Sequence, residues 1–114
     1  MKTYFDHERL DVYQEAIAFC GWVGDLLSEV TVKAAAKDQL DRASTSIPLN
    51  IAEAAGRVGE ADQARVYAIA RGSAFECAAI LDAFESFALI DPEKQKEAGG
   101  LLTRIVEMLT KLCR

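Results

Sequence analysis

Apolar side chains along this chain recur at intervals of three and four residues, the repeat of a single helix face. Between Leu10 and Val30 two such rows run side by side. Tyr13, Ile17, Cys20 and Leu27 form one, and Val12, Ala16, Phe19, Val23, Leu26 and Val30 form the other. Together they predict a helix over about residues 10–30 with an apolar face wider than one neighbour can cover, and Trp22 widens it further. Asp11 followed three residues later by Gln14 has the spacing of a capping box at its start. The width points to self-association, because contiguous exposed apolar area marks contact surfaces.

Leu40, Ala43, Ile47, Ile51, Ala54 and Ala55 keep the same spacing and predict a second helix over about residues 34–57. Pro48 falls in its middle. A proline there has no N–H for the carbonyl four residues back, that of Ser44, and its ring crowds that carbonyl, so the helix is expected to kink at Pro48. Ser44, Thr45 and Ser46 bring hydroxyls to the disturbed turn. The other reading makes Ser46-Ile47-Pro48 a true loop. Gly56 and Gly59 are expected to close the helix.

Helix three, over about residues 61–90, is patterned by Val66, Ile69, Ser73, Cys77, Ile80, Phe84 and Phe87, with Tyr67, Ala74, Leu81 and Ala88 in a second row. Asp91-Pro92-Glu93 then reads as a helix start, with a capping carboxylate, a proline where no N–H is needed and an acid favoured by the helix dipole. Leu101, Leu102, Ile105, Val106, Met108, Leu109 and Leu112 supply the apolar face of a fourth helix over about residues 92–113. Four helices with connectors near residues 31–33, 57–61 and 90–92 predict an all-α fold, an antiparallel up-down-up-down four-helix bundle spanning residues 1–114 as one domain.

Composition supports a packed core: 51% of residues are hydrophobic, and only two prolines and seven glycines interrupt the chain. Met1 to Leu10 has no apolar stretch of the kind a secretory signal needs, and no run is long enough for a membrane span, so a cytoplasmic, non-membrane protein is expected. The three cysteines, Cys20, Cys77 and Cys113, have no close pair and read as small apolar residues rather than a disulfide or zinc framework.

Net charge is −5, the wrong sign for a protein that coats nucleic acid. It is unevenly spread: residues 1–30 and 73–100 carry −4 each, while 31–59 carry +1 and 101–114 carry +2. Any basic face must therefore draw on the second helix and the C-terminus. Lys37, Arg42, Arg57, Arg104 and Lys111 are the candidate nucleic-acid contacts, although Glu107 stands between Arg104 and Lys111 at salt-bridge spacing.

The chemistry available is narrow. His7 is the sole histidine and precedes helix one, which excludes a di-iron carboxylate bundle site, a histidine-based catalytic triad and a zinc hydrolase. No glycine-rich phosphate loop is present either. No catalytic residue, metal site or cofactor is expected, and the chain reads as a non-enzymatic assembly or binding protein. The polar residues that stand out are Ser46, Asn50 and Glu53 in helix two and Arg71, Ser73 and Glu76 in helix three. An interhelical hydrogen-bond network that sets register accounts for them. A ligand site near Asn50, Glu53 and Arg71 is the competing reading.

Three strings carry a family resemblance: Glu8-Arg9-Leu10-Asp11-Val12-Tyr13-Gln14, Ser46-Ile47-Pro48-Leu49-Asn50-Ile51-Ala52-Glu53, and Ala70-Arg71-Gly72-Ser73-Ala74-Phe75-Glu76. The chain resembles, over nearly all its length, the four-helix bundle proteins encoded in 23S rRNA intervening sequences. That resemblance implies a homo-oligomer, a pentameric ring. The family includes the accessory protein of diversity-generating retroelements, which implies a reverse transcriptase and nucleic acid as partners. One departure is Glu53-Ala54-Ala55-Gly56-Arg57, where the pattern has Glu-Gly before Gly-Arg. The resemblance leaves two expectations: a self-assembling scaffold or accessory subunit, or a nucleic-acid-binding accessory protein.

Overall fold

The computed structural model describes residues 5–114, and every regular element among them is helical. The first four residues, part of the segment read above for a signal peptide, lie outside the described residues. A 3-10 turn at Asp6–Arg9 leads into α1 (Asp11–Glu29), α2 (Ala34–Ala55), α3 (Glu60–Ser86) and α4 (Pro92–Leu112). Each helix packs on its sequence neighbours and α1 closes the circuit against α4. The neighbours run antiparallel. Glu15 of α1 meets Arg104 of α4 at 3.0 Å, and Trp22, further along α1, meets Glu97, earlier in α4, at 2.9 Å. Arg71–Thr110 and Asp82–Gln95 show the same opposed progression between α3 and α4. The bundle is elongated, 44 × 30 × 24 Å, as expected from α3, whose 27 residues span about 40 Å.

The apolar rows converge on the axis. Phe19, Leu40, Ile47, Ile51, Leu81, Ile105 and Leu109 are fully buried, each contributing about 1.5–3 kcal/mol of transfer free energy. On α1 the row Val12, Ala16, Phe19, Val23 and Leu26 is buried, but the second row is not left bare as its width predicts. Tyr13 meets the ring of His7 edge-on at 4.8 Å, bringing the 3-10 turn against α1. Trp22 stacks on Phe19 and donates its indole N–H to Glu97. Only Ile17 of that row is exposed. Much of the excess width is thus covered from within the chain.

α2 runs unbroken through Pro48, so Ser46-Ile47-Pro48 is not a loop. The Ser44 carbonyl, deprived of the proline's N–H, accepts from the Cys20 thiol of α1 at 3.3 Å. The neighbouring hydroxyls serve a different carbonyl: Ser44 and Thr45 both donate to Asp41 one turn earlier, at 3.0 and 2.7 Å.

Helix ends depart from the sequence reading in three places. Leu10, not Asp11, occupies the N-cap of α1, and the Gln14 amide donates to the Glu8 carbonyl at 3.2 Å, so no capping box forms. Asp11 instead sits in the first turn, where its charge favours the dipole. Gly56 caps α2, its N–H bonded to the Ala52 carbonyl, whereas Gly59, with φ +97°, opens α3 rather than closing α2. α3 stops at Ser86, four residues early. The Leu89 N–H bonds the Phe84 carbonyl and the Ala88 N–H that of Glu85, both at 2.9 Å. This is a Schellman ending with Ala88 at φ +58°, a conformation that usually selects glycine. It turns Ile90 into the core and leaves Phe87 outside. Asp91 caps α4 as read, accepting from the Lys94 N–H at 2.8 Å with Pro92 behind it.

Candidate functional site

The α2–α3 seam carries the first set of candidate residues. Ser46 and Ser73 face each other with hydroxyls 2.7 Å apart, and the Asn50 amide donates to both the carbonyl and the hydroxyl of Ser46, at 2.8 and 3.0 Å. Ser73 also donates to the Ile69 carbonyl one turn back at 3.3 Å. Among the described residues no buried side-chain nitrogen or oxygen lacks a partner, so this cluster holds no buried unsatisfied group for a ligand.

The other three candidates go elsewhere. Glu53 pairs with Arg57 at the end of its own helix. Arg71 turns to α4, donating its Nε to the Thr110 hydroxyl at 2.8 Å while the guanidinium lies 4.8 Å from the centre of the Phe75 ring. Glu76 is exposed and lines the α2–α3 groove. Asn50, Glu53 and Arg71 therefore do not converge on one site, as the ligand reading required. The corrections share a cause: residues three to five apart on a long helix fan out to different neighbours, and sequence spacing does not say which neighbour is in reach.

The basic candidates are dispersed and mostly paired. Arg42 pairs with Asp38 at 3.1 Å, and Arg57 with Glu53 and, at 3.3 Å, with Asp62. Arg104 pairs across the bundle with Glu15 at 3.0 Å, not with Glu107. Hydrogen bonding to Glu53 raises the Arg57 guanidinium further above its ordinary value, with Asp62 adding to it. The hydrogen bond from Arg65, helped by the charges of Arg57 and Arg65, holds the Asp62 carboxyl below the usual carboxylate range. Lys37 lies on the first turn of α2 and Lys111 on the last turn of α4. Among the described residues no strip of unpaired cations joins these positions.

Burial pushes the Cys77 thiol up to about 12, with the charges of Glu76 and Cys20 adding to the effect. Burial also raises Cys20, against the lowering effect of its Ser44 hydrogen bond. Both thiols are thereby kept protonated and poorly nucleophilic. Among the described residues no three His, Cys, Asp or Glu side chains group as metal ligands, and no helix is long and apolar enough to cross a membrane.

What remains distinctive is apolar surface. Ile69 and Phe87, which periodicity assigns to the core row of α3, are 46% and 71% exposed, and Phe75 is 49% exposed. Leu49 projects from α2 at 64%. It lies one turn from Ser46, as Ile69 lies one turn from Ser73, so both belong to the seam those serines close. Two clefts accompany them. One of about 350 Å³ runs between α3 and α4 past Phe75, and one of about 690 Å³ lies between the start of α2 and the end of α3, past Phe87.

A crystal structure from Bacteroides thetaiotaomicron VPI-5482, of a protein with unknown function from the S23 ribosomal protein family, has the same fold. It superposes with a TM-score of 0.84 at 23% identity, covering 90% of this chain and 98% of that one. No curated protein matches the sequence. The pattern of the 23S rRNA-intervening sequence proteins matches residues 8–111, which include all three of the strings that first suggested the resemblance, and the chain belongs to that family.

Proposed function

We propose that this protein is a non-enzymatic, self-assembling helical bundle that serves as a scaffold or accessory subunit. The observation that carries the proposal is the outward-facing apolar set Leu49, Ile69, Phe75 and Phe87 on the middle pair of helices. Large exposed side chains beside apolar clefts are the signature of a contact surface. The pentameric ring implied by family membership is the form in which this surface would be covered. Nucleic-acid binding through Lys37, Arg42, Arg57, Arg104 and Lys111 gains no support from the geometry, since three of the five are already paired to carboxylates. Light scattering coupled to size exclusion at micromolar concentration tests the proposal. A mass several times 12.5 kDa is expected, and a monomer would end it.

A further inference from the structure

The larger cleft and the outer face of α1 have complementary defects. Ala36, Ala79 and Ala83 form part of a shallow apolar wall in the cleft, and Phe87 stands at one end, mostly exposed. Lys33 lies at the Phe87 end and Glu76 at the other. From Glu76 to Phe87 is about 16 Å along α3. Among the described residues, this stretch is lined only by the start of α2, the end of α3 and the connector residues beside them.

The outer face of α1 carries Ile17, Gly21, Gly24, Asp25 and Ser28, all exposed. A Cβ at Gly21 or Gly24 would meet nothing within 4 Å, so no close packing inside the chain calls for glycine there. Glycine in a helix interior still costs helix stability. From Ile17 to Ser28 is again about 16 Å. One surface has a protruding phenyl ring; the other has two exposed glycines, Gly21 and Gly24, that leave the helix backbone bare between Ile17 and Ser28.

Charge sets the direction. Lys33, and Lys37 one turn on, have no ion pair among the described residues, and neither has the Asp25 carboxylate. An α1 helix laid along the cleft with Asp25 toward Lys33 gains attraction there and keeps its acidic end away from Glu76. The reverse orientation brings Asp25 against Glu76.

We propose that the outer face of α1 of one copy docks in the α2–α3 cleft of the next, with Phe87 seated over Gly21 and Gly24 and Lys33 beside Asp25. This rests on the self-assembly reading above and specifies its contact. The two surfaces differ, so the contact is heterologous and each protomer offers one of each, the arrangement that propagates into a closed ring or a filament.

Ala83→Arg fills the cleft, and Gly21→Arg fills the α1 face. Both positions are exposed, and Gly21→Arg improves helix propensity, so each variant is expected to fold, with circular dichroism as the check. Each alone should fall from the wild-type assembly to a 12.5 kDa monomer by light scattering. An equimolar mixture should then form a 1:1 dimer and stop, because one intact cleft and one intact α1 face remain between the two chains. Lys33→Glu and Asp25→Lys should each weaken assembly at least tenfold, and the two together in one chain should restore it. A wild-type monomer would overturn the self-assembly reading and this contact with it. A wild-type oligomer that survives both arginine variants, or arginine monomers that fail to pair when mixed, would overturn this contact and leave self-assembly standing.

Discussion

The chain has two prolines, and the regions around them are built on opposite principles. At Pro92 the missing N–H belongs to the first turn of α4, where no helical partner awaits it, and the neighbouring cap, Asp91 to the Lys94 N–H, closes within four residues. At Pro48 the missing N–H leaves a carbonyl in mid-helix without its partner, and the donor that answers it, the Cys20 thiol, comes from another helix. The first region is self-contained. The second depends on the bundle being assembled around it, so the two should respond differently to perturbation.

The strongest way to break the contrast is to loosen the packing at Pro48. Ile47 is fully buried there, and Ile47→Ala should cost about 2–5 kcal/mol in urea denaturation. Lys94→Ala, one turn into α4 on a half-exposed side chain, should stay within about 0.5 kcal/mol. If the two losses were similar, α2 would not depend on the core at Pro48.

Alkaline pH probes the same interior. Cys77 is fully buried, and its thiol, near 12 in the folded protein, keeps its proton where the unfolded thiol has already lost it. The native state then binds more protons, so stability is unaffected at neutral pH and falls as pH rises past the unfolded value toward 12. By pH 10 the loss is at most about 2 kcal/mol, since each pH unit counts for about 1.4 kcal/mol. The fall should be shallower in Cys77→Ala; equal slopes in the two proteins would show that the buried thiol does not couple to folding.

Next in size is a double-mutant cycle across the proline. Removing the Cys20 thiol with Cys20→Ala should cost about 1 kcal/mol while Pro48 is present and much less in a Pro48→Ala background, where the restored N–H can reach the Ser44 carbonyl. Asp91→Ala supplies the reference. It should also cost about 1 kcal/mol, but additively with Cys20→Ala, as expected for a cap closed by its own turn. A coupling below about 0.3 kcal/mol between Cys20 and Pro48 would remove the thiol from its assigned role.

How much was legible in the sequence follows the same line. Four helices, their order and the cap at Asp91 rest on periodicity and on residues a few positions apart, and the structure has them. The uninterrupted α2 was legible too, because Ile47 and Ile51 keep the apolar spacing across Pro48. The partners were not. Glu53 and Arg71 stand beside Ser46 and Ser73 in the sequence pattern yet bond to Arg57 and Thr110, because side-chain direction is decided by helix rotation in the packed bundle. Ile69 and Phe87 fit the core row of α3 by spacing and still face outward: about five turns apart, they share one edge of the row rather than its centre, and α3 ends at Ser86, before Phe87. The end of α3 was misplaced by four residues because an alanine, not a glycine, makes the turn.

That alanine offers the smallest and cleanest test, in the connector that leads to Pro92. Ala88 holds φ +58°, a left-handed conformation that glycine reaches without a Cβ penalty. Its N–H and that of Leu89 complete the Schellman bonds to Glu85 and Phe84, so the backbone cannot relax without unwinding the end of α3. Ala88→Gly removes the steric cost and keeps both bonds, while increasing the freedom of the unfolded chain, which works the other way. The net expectation is a stabilisation of about 0.5 kcal/mol, read as a rise of a few degrees in Tm. Ala88→Val, β-branched at the same φ, should destabilise by more than that. If glycine lowered Tm, the left-handed turn at Ala88 would not be the native ending of α3, and the inward placement of Ile90 that depends on it would fall as well.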